Sequence, residues 1–161
     1  MKNFKLFLIS LSFGALALTG CKDECDDVVC QNGGTCNEGI CACATGYEGT
    51  ECATETRAKF LGTYNVSESC ESGNYTFSLT VTTSSTGVRN VIINNFYDIG
   101  IAVNATVSGN SLNIPNQTVT SGGTALTISG SGQITGNILT MTYTISAGAD
   151  SDTCTATCTK Q

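Results

Sequence analysis

Tyr75-Thr-Phe-Ser-Leu-Thr-Val81 decides how the larger part of this chain folds. Every second residue is large and apolar, and the residues between them carry hydroxyls. An extended chain therefore presents one apolar face and one wet face. Leu139-Thr-Met-Thr-Tyr-Thr-Ile145 repeats the pattern, and Ile101-Ala-Val-Asn-Ala-Thr-Val107 and Thr124-Ala-Leu-Thr-Ile128 are shorter versions of it. Such alternation marks antiparallel sheet with one buried face. Turn-forming clusters separate the runs: Glu71-Ser-Gly-Asn74, Ser84-Ser-Thr-Gly87, Ser108-Gly-Asn110, Ser121-Gly-Gly123 and Gly136-Asn137. The expectation for residues 60–161 is a mainly β domain of about eight antiparallel strands, closed as a barrel or stacked as a sandwich.

A short internal echo supports a meander. Val107-Ser-Gly-Asn-Ser-Leu-Asn-Ile114 parallels Ile134-Thr-Gly-Asn-Ile-Leu-Thr-Met141, and in each the Gly-Asn pair suits a tight hairpin whose first residue needs positive φ. The opening Phe60-Leu-Gly-Thr-Tyr-Asn-Val66 resembles the Gly-x-Tyr/Trp start of lipocalin-like domains in bacterial lipoproteins. That resemblance implies an up-and-down barrel, with carriage of a small apolar ligand as one function.

Three cysteines fall in this region. Cys70 ends the first strand and Cys154 opens the last. If those strands pair antiparallel to close the sheet, the two lie side by side, and a Cys70–Cys154 disulfide is expected. Cys158 lies four residues further, roughly 13 Å along a strand at about 3.3 Å per residue, out of reach of the same partner. It is expected to be buried and unpaired, with an intermolecular bridge as the other outcome.

Upstream the texture changes. Residues 53–59 read as a polar linker. From Cys25 to Cys52 the spacing is C-x4-C-x5-C-x4-C-x-C-x8-C, through Cys30, Cys36, Cys41 and Cys43. Val28, Val29, Ile40 and Tyr47 are nearly all the apolar residues available, and a stretch below about 40 residues needs covalent staples. Six cysteines allow fifteen pairings on spacing alone. The spacing, with Asn32-Gly33-Gly34 and Gly46-Tyr47-Glu48-Gly49, resembles an EGF-like domain of tenascin or integrin type. The resemblance implies the bridges Cys25–Cys36, Cys30–Cys41 and Cys43–Cys52. Zinc is the other use of clustered cysteines, but His is absent, and no metal is expected. Calcium-binding relatives carry an acidic motif before the first cysteine and an Asn or Asp pattern in the third-to-fourth loop. Asp23 and Glu24 meet part of the first; Cys21 occupies the position where it starts, and Asn37-Glu38-Gly39-Ile40 lacks the second. Calcium is therefore not expected as a partner.

Residues 1–20 have the parts of a secretory signal peptide. Lys2 and Lys5 precede the apolar run Leu6–Leu18, which is shorter than the roughly 20 residues of a membrane span. Leu18-Thr19-Gly20-Cys21 resembles a lipobox, implying that Cys21 becomes an acylated (palmitate-bearing) N-terminus. Several acyl chains hold a protein on a membrane stably. Residues 21–24 form an acidic tether, and Lys22-Asp23-Glu24 resembles the export tag of surface lipoproteins in some Gram-negative groups. The expected location is the outer membrane of a Gram-negative bacterium, facing the medium.

Composition excludes several functions. The net charge is −6, and removal of Lys2 and Lys5 leaves five bases against thirteen acids, or −8. No basic stripe exists to meet phosphates, so no nucleic-acid partner is expected. With no His as general base, and with Glu68, Glu71, Asp98, Asp150 and Asp152 reading as ordinary strand-end or turn acids, neither an enzyme nor a cofactor is expected. The leading expectation is a non-enzymatic surface lipoprotein presenting a β domain on an EGF-like stalk, for adhesion to a protein or carbohydrate. Phe96 and Tyr97, in the turn-like stretch 94–100, are the candidate exposed binding residues.

Overall fold

The computed structural model describes residues 23–161; the expected leader over 1–20, Cys21 and Lys22 lie outside them. The N-terminal module consists of two small hairpins. β1 (Thr35–Asn37) pairs with β2 (Ile40–Ala42), and β3 (Tyr47–Glu48) pairs with β4 (Thr54–Glu55). Of its hydrophobic residues only Cys52 is buried. Disulfides do the work of a core: Cys25–Cys36, Cys30–Cys41 and Cys43–Cys52 span 11, 11 and 9 residues. Closing a loop of this size restricts the unfolded chain by on the order of 3 kcal/mol per bridge.

The stretch 53–59 is not a free linker. It contains β4 and a 3-10 turn (Thr56–Phe60) that fastens the module to the next domain. Thr56 N–H donates to Gly46 O at 2.8 Å. Arg57 Nη1 lies 2.8, 3.0 and 3.0 Å from the carbonyl oxygens of Ser84, Gly87 and Asn90. Lys59 Nζ bridges Glu48 Oε2 at 2.8 Å and Asn110 Oδ1 at 3.1 Å.

Eight strands then close into an up-and-down barrel: β5 (Gly62–Cys70), β6 (Gly73–Thr83), β7 (Asn90–Phe96), β8 (Ile101–Ser108), β9 (Ser111–Ser121), β10 (Thr124–Thr135), β11 (Ile138–Ala147) and β12 (Asp150–Lys160). Each pairs antiparallel with its chain neighbour, and β12 pairs with β5, so the fold is a barrel rather than a sandwich. Alternation places Tyr64 and Val66, Leu79 and Val81, Ile93, Val103, Leu112, Ile128, Leu139 and Met141 inside. The outward positions of the same strands are mostly Thr, Ser and Asn, the reverse of the apolar exterior of a membrane-spanning barrel. The echoed hairpins align as the sequence suggests. Val107 faces Leu112, Ile134 faces Leu139, and the turns carry Gly109 at φ 56° and Gly136 at φ 58°.

Two irregularities shape the wall. Gly130 and Gly132 face β11 so closely that a Cβ on Gly130 would lie 2.5 Å from Tyr143 Cβ and 2.6 Å from Thr142 O. Across β9 the register slips between Ile128 and Gly130, opposite the segment that holds Pro115, which has no N–H to offer a ladder.

The β12–β5 seam sets Cys154 opposite Cys70, and the two are joined, closing 84 residues. Cys158 lies opposite Val66, fully buried and unbridged. Burial, then the charge of Glu68, pushes its thiol up to about 12, so it carries no thiolate at neutral pH.

Candidate functional site

The barrel has two unlike ends. At one, the 84–89 turn and Asn110 receive Arg57 and Lys59, and Phe60 is fully buried as a floor plug whose carbonyl accepts the Tyr64 hydroxyl at 2.7 Å. This end is covered by the module. At the other end lie the turns 71–72, 97–100, 122–123 and 148–149. All five acids of the barrel domain, Glu68, Glu71, Asp98, Asp150 and Asp152, sit at or next to this second end. The domain's two bases, Arg89 and Lys160, sit at the covered one.

The wall parts at this acidic mouth. β6 and β7 pair from Thr83↔Val91 to Thr80↔Asn94, and no further. β8 and β9 pair only from Ser108↔Ser111 to Thr106↔Asn113. The β7–β8 hairpin thus leaves both neighbours as it nears the mouth. Side-chain amides occupy the gaps where ladder bonds stop. Asn95 Nδ2 donates to Ser78 O at 2.8 Å, Gln117 Nε2 donates to Asn104 O at 2.7 Å, and Asn104 N–H donates to Gln117 Oε1 at 2.9 Å.

The tip of this hairpin folds over the mouth. The Tyr97 hydroxyl donates to Asp152 Oδ2 across the barrel at 2.6 Å. Asp152 also receives the Ser72 hydroxyl and, at 3.2 Å, the Ser72 N–H, and the Tyr75 hydroxyl donates to Ser72 Oγ at 3.1 Å. Hydrogen bonds from Ser72 and Tyr97 hold the Asp152 carboxyl below its ordinary range. The rings form a ladder: Tyr75–Tyr97 at 6.5 Å, Tyr97–Tyr143 at 6.4 Å and edge-on, and Tyr143–Phe96 at 4.4 Å. Such contacts fix ring orientation.

Where β6 and β7 separate, a cleft of about 260 Å³ opens, lined by Glu68, Tyr75, Phe77, Tyr97, Asp98 and Ile99. A second depression of about 250 Å³ lies on the other side of Tyr97 and Ile99, against Leu126, Ile145 and Asp152. Glu68 is the buried group of the first cleft, 3% exposed. Its Oε1 accepts the Tyr143 hydroxyl; among the described residues no side chain donates to Oε2, and since no buried side-chain oxygen there lacks a partner, Oε2 is open to the cleft rather than sealed in the wall. Burial raises its carboxyl above the ordinary value, the Tyr143 hydrogen bond opposes this, and Asp152 and Asp98 add to the rise. Burial and Glu68 push the Tyr143 phenol far up, so it stays a donor. Glu68 lies close to Cys70 and Cys154, but both sulfurs are committed to their bridge, so this trio is not a metal site.

Of the two candidate binding aromatics, Tyr97 lines both depressions and is half-buried. Phe96 needs correction: it is 1% exposed, packed on Tyr143 as part of the core, and unavailable to a partner. The cause is a bulge. The register slips between Asn94 and Phe96, and Asn95 adopts φ 56°, so Phe96 takes the inward place in the alternation after Val91 and Ile93. The stretch 94–100 is accordingly strand to Phe96 and turn only from Tyr97. Glu68, Tyr143 and Asp152 were not singled out as site residues. The signal available for Glu68 was its phase, since it continues Tyr64 and Val66 at period two and so points inward.

No family model matches this chain. A stretch of 56 residues, 32% of the chain, is 41% identical to Fibropellin-1 of Strongylocentrotus purpuratus, covering 5% of that protein's length. Together with the three bridges, this similarity supports an EGF-like module. Such a module beside a β-barrel fits a binding or surface role in general.

Proposed function

We propose that this chain is a non-enzymatic, lipid-anchored surface protein of a Gram-negative outer membrane, whose barrel is held out on the EGF-like module to bind a partner at its acidic mouth. One observation carries the reading: the module covers one barrel end through Arg57 and Lys59, leaving the acidic, aromatic end uncovered by it. The barrel interior is filled by side chains such as Leu79, Ile93, Val103, Ile128 and Met141, and the mouth offers a cleft of about 260 Å³ beside the buried Glu68. A filled interior of this kind is what eight strands allow when no ligand chamber is kept.

The test is metabolic labelling with radioactive palmitate, with protease shaving of intact cells. Labelled, shaveable protein is expected, and Cys21→Ser should lose label and leave the membrane fraction. An unlabelled parent protein, or one protected from protease until the cells are lysed, refutes the anchoring and orientation. For the mouth, Tyr97→Ala should abolish adhesion of cells to a protein- or carbohydrate-coated surface while surface display is unchanged. Adhesion equal to that of the parent refutes the mouth as the contact.

A further inference from the structure

We propose that the cleft between β6 and β7 is a receptor for a primary alkylammonium group, which would place its charge on Glu68 and Asp98 and its aliphatic tether against Phe77, Tyr97 and Ile99. This rests on reading the acidic mouth as the binding end, and it names the chemistry bound there.

The polar inventory of the cleft leads to a cation. Glu68, 3% exposed, turns to the cleft a carboxylate oxygen to which no side chain among the described residues donates; it is reached from the cleft, since no buried side-chain oxygen there lacks a partner. Asp98, in an exposed loop, uses Oδ1 to accept from Asn95 Nδ2 at 3.1 Å, and among the described residues no side chain donates to its second oxygen. The Tyr75 and Tyr97 hydroxyls spend their protons on Ser72 and Asp152, so towards a ligand they offer lone pairs and ring faces. No Lys or Arg lines the cleft. Everything presented is an acceptor or an aromatic face, and the complement of that set is a positive donor.

Location and size narrow the class further. With its five acids at the mouth and its two bases at the far end, the barrel domain directs an attractive field at approaching cations. A cleft of about 260 Å³ falls below the roughly 300–1,000 Å³ that accommodates drug-sized ligands. It suits a short amine or the end of a longer chain. A planar guanidinium seeks a bidentate fork, whereas Glu68 has one oxygen already taken by Tyr143. A point-like ammonium matches single oxygens from two carboxylates. Burial together with Asp152 and Asp98 disfavours a charged Glu68 in the empty cleft, and an incoming cation relieves that crowding.

The experiment is calorimetric titration of the full chain in detergent with n-pentylammonium chloride, with 1-pentanol as the uncharged counterpart of matching shape. Saturable binding of the amine, at least tenfold tighter than the alcohol, is expected. Glu68→Gln should weaken it tenfold or more. Asp98→Asn, in an exposed loop, should weaken it several-fold without moving the melting temperature, which keeps the test valid if Glu68→Gln alters folding. Cadaverine and Nα-acetyl-lysine N-methylamide separate the sources. Binding of the lysine amide indicates side chains of a polypeptide, binding of cadaverine alone indicates free amines, and both outcomes support an ammonium site. Equal affinity for amine and alcohol, or unchanged affinity in both variants, overturns the proposal. If it falls while Tyr97→Ala still abolishes adhesion, the acidic mouth remains the contact and only the ammonium chemistry is wrong.

Discussion

The Cys70–Cys154 bridge closes the barrel at the one seam where strands distant in sequence must meet, and its removal is the most informative single perturbation. The bridge spans 84 residues, whereas the module's bridges span 11, 11 and 9. Chain-entropy reasoning for a loop of that length gives about 4.6 kcal/mol of destabilisation on its loss at 25 °C. Against a typical total of about 5–15 kcal/mol, that is a large share. The ladder from Cys154↔Cys70 to Lys160↔Tyr64 remains in the native state, so Cys70→Ala/Cys154→Ala should still fold but melt early. Urea denaturation suits the measurement. The chain has no Trp, and tyrosine emission reports the barrel, which holds four of the five tyrosines. Mutation is preferable to a reductant, which would also open the module. The expected result is a loss of about 4–5 kcal/mol with a steeper m-value, since an uncrosslinked unfolded chain exposes more surface. A loss under about 1 kcal/mol with an unchanged slope would refute the reasoning, showing that the seam is held by its ladder and packing alone.

Other substitutions test the packing and the charges. Phe96→Ala empties a buried ring site against Tyr143 and should cost about 3–5 kcal/mol, whereas Tyr97→Phe, losing only the hydroxyl to Asp152, should cost about 1 kcal/mol; denaturant midpoints decide between them. Gly130→Ala sets a Cβ against backbone that cannot yield, and thermal unfolding should show about 1–3 kcal/mol of destabilisation or more. Arg57→Ala leaves three carbonyl oxygens without their charged donor; limited proteolysis should then cut between module and barrel, while the melting temperature of the barrel stays nearly constant. For Glu68 the folded carboxyl is raised above its ordinary 4.5. Its contribution is therefore full in acid and lost as pH rises through the folded value. Glu68→Gln should gain stability relative to the parent as pH climbs above about 4.5, and a stability difference flat from pH 4 to 8 would contradict the burial argument.

Much of the architecture was legible because period-two alternation is a direct consequence of pleat geometry. Tyr75–Val81 and Leu139–Ile145 lie in β6 and β11. The pairing of Cys70 with Cys154 followed from one assumption, that first and last strands close the sheet. Legibility failed where the alternation is interrupted. β10 carries Gly130 and Gly132 in the inward phase between Ile128 and Ile134, so its apolar pattern vanishes although the strand runs to Thr135. Phe96 was misplaced because a bulge adds one residue and inverts the phase, and Asn95 at positive φ leaves only a weak mark in sequence. The carboxylates of the mouth were hidden for another reason. Glu68, Asp98 and Asp152 are 30 and 54 positions apart along the chain, and only closure of the barrel brings them to one rim.

The conformation of the β7–β8 turn argues that this rim is more than a place where strands reverse. Four other hairpins reverse through turns in which glycine takes the left-handed conformation: Gly109, Gly122 with Gly123, Gly136, and Gly148. The 97–100 turn instead holds Tyr97 at φ 56° and Asp98 at φ 53°, next to Asn95 at φ 56° and ahead of Gly100 at φ 72°. A large aromatic in that region costs on the order of 1–3 kcal/mol and persists only where surrounding contacts impose it. Those contacts are the Tyr97–Asp152 hydrogen bond and the rings of Tyr75 and Tyr143. The same hairpin gives up ladder pairing on both sides near the mouth and substitutes Asn95 and Gln117 amides for it. Strand reversal requires none of this. What the departures achieve together is to set Tyr97 between two depressions and Asp98 beside Glu68, in a chain whose other barrel end is already closed by its own N-terminal module.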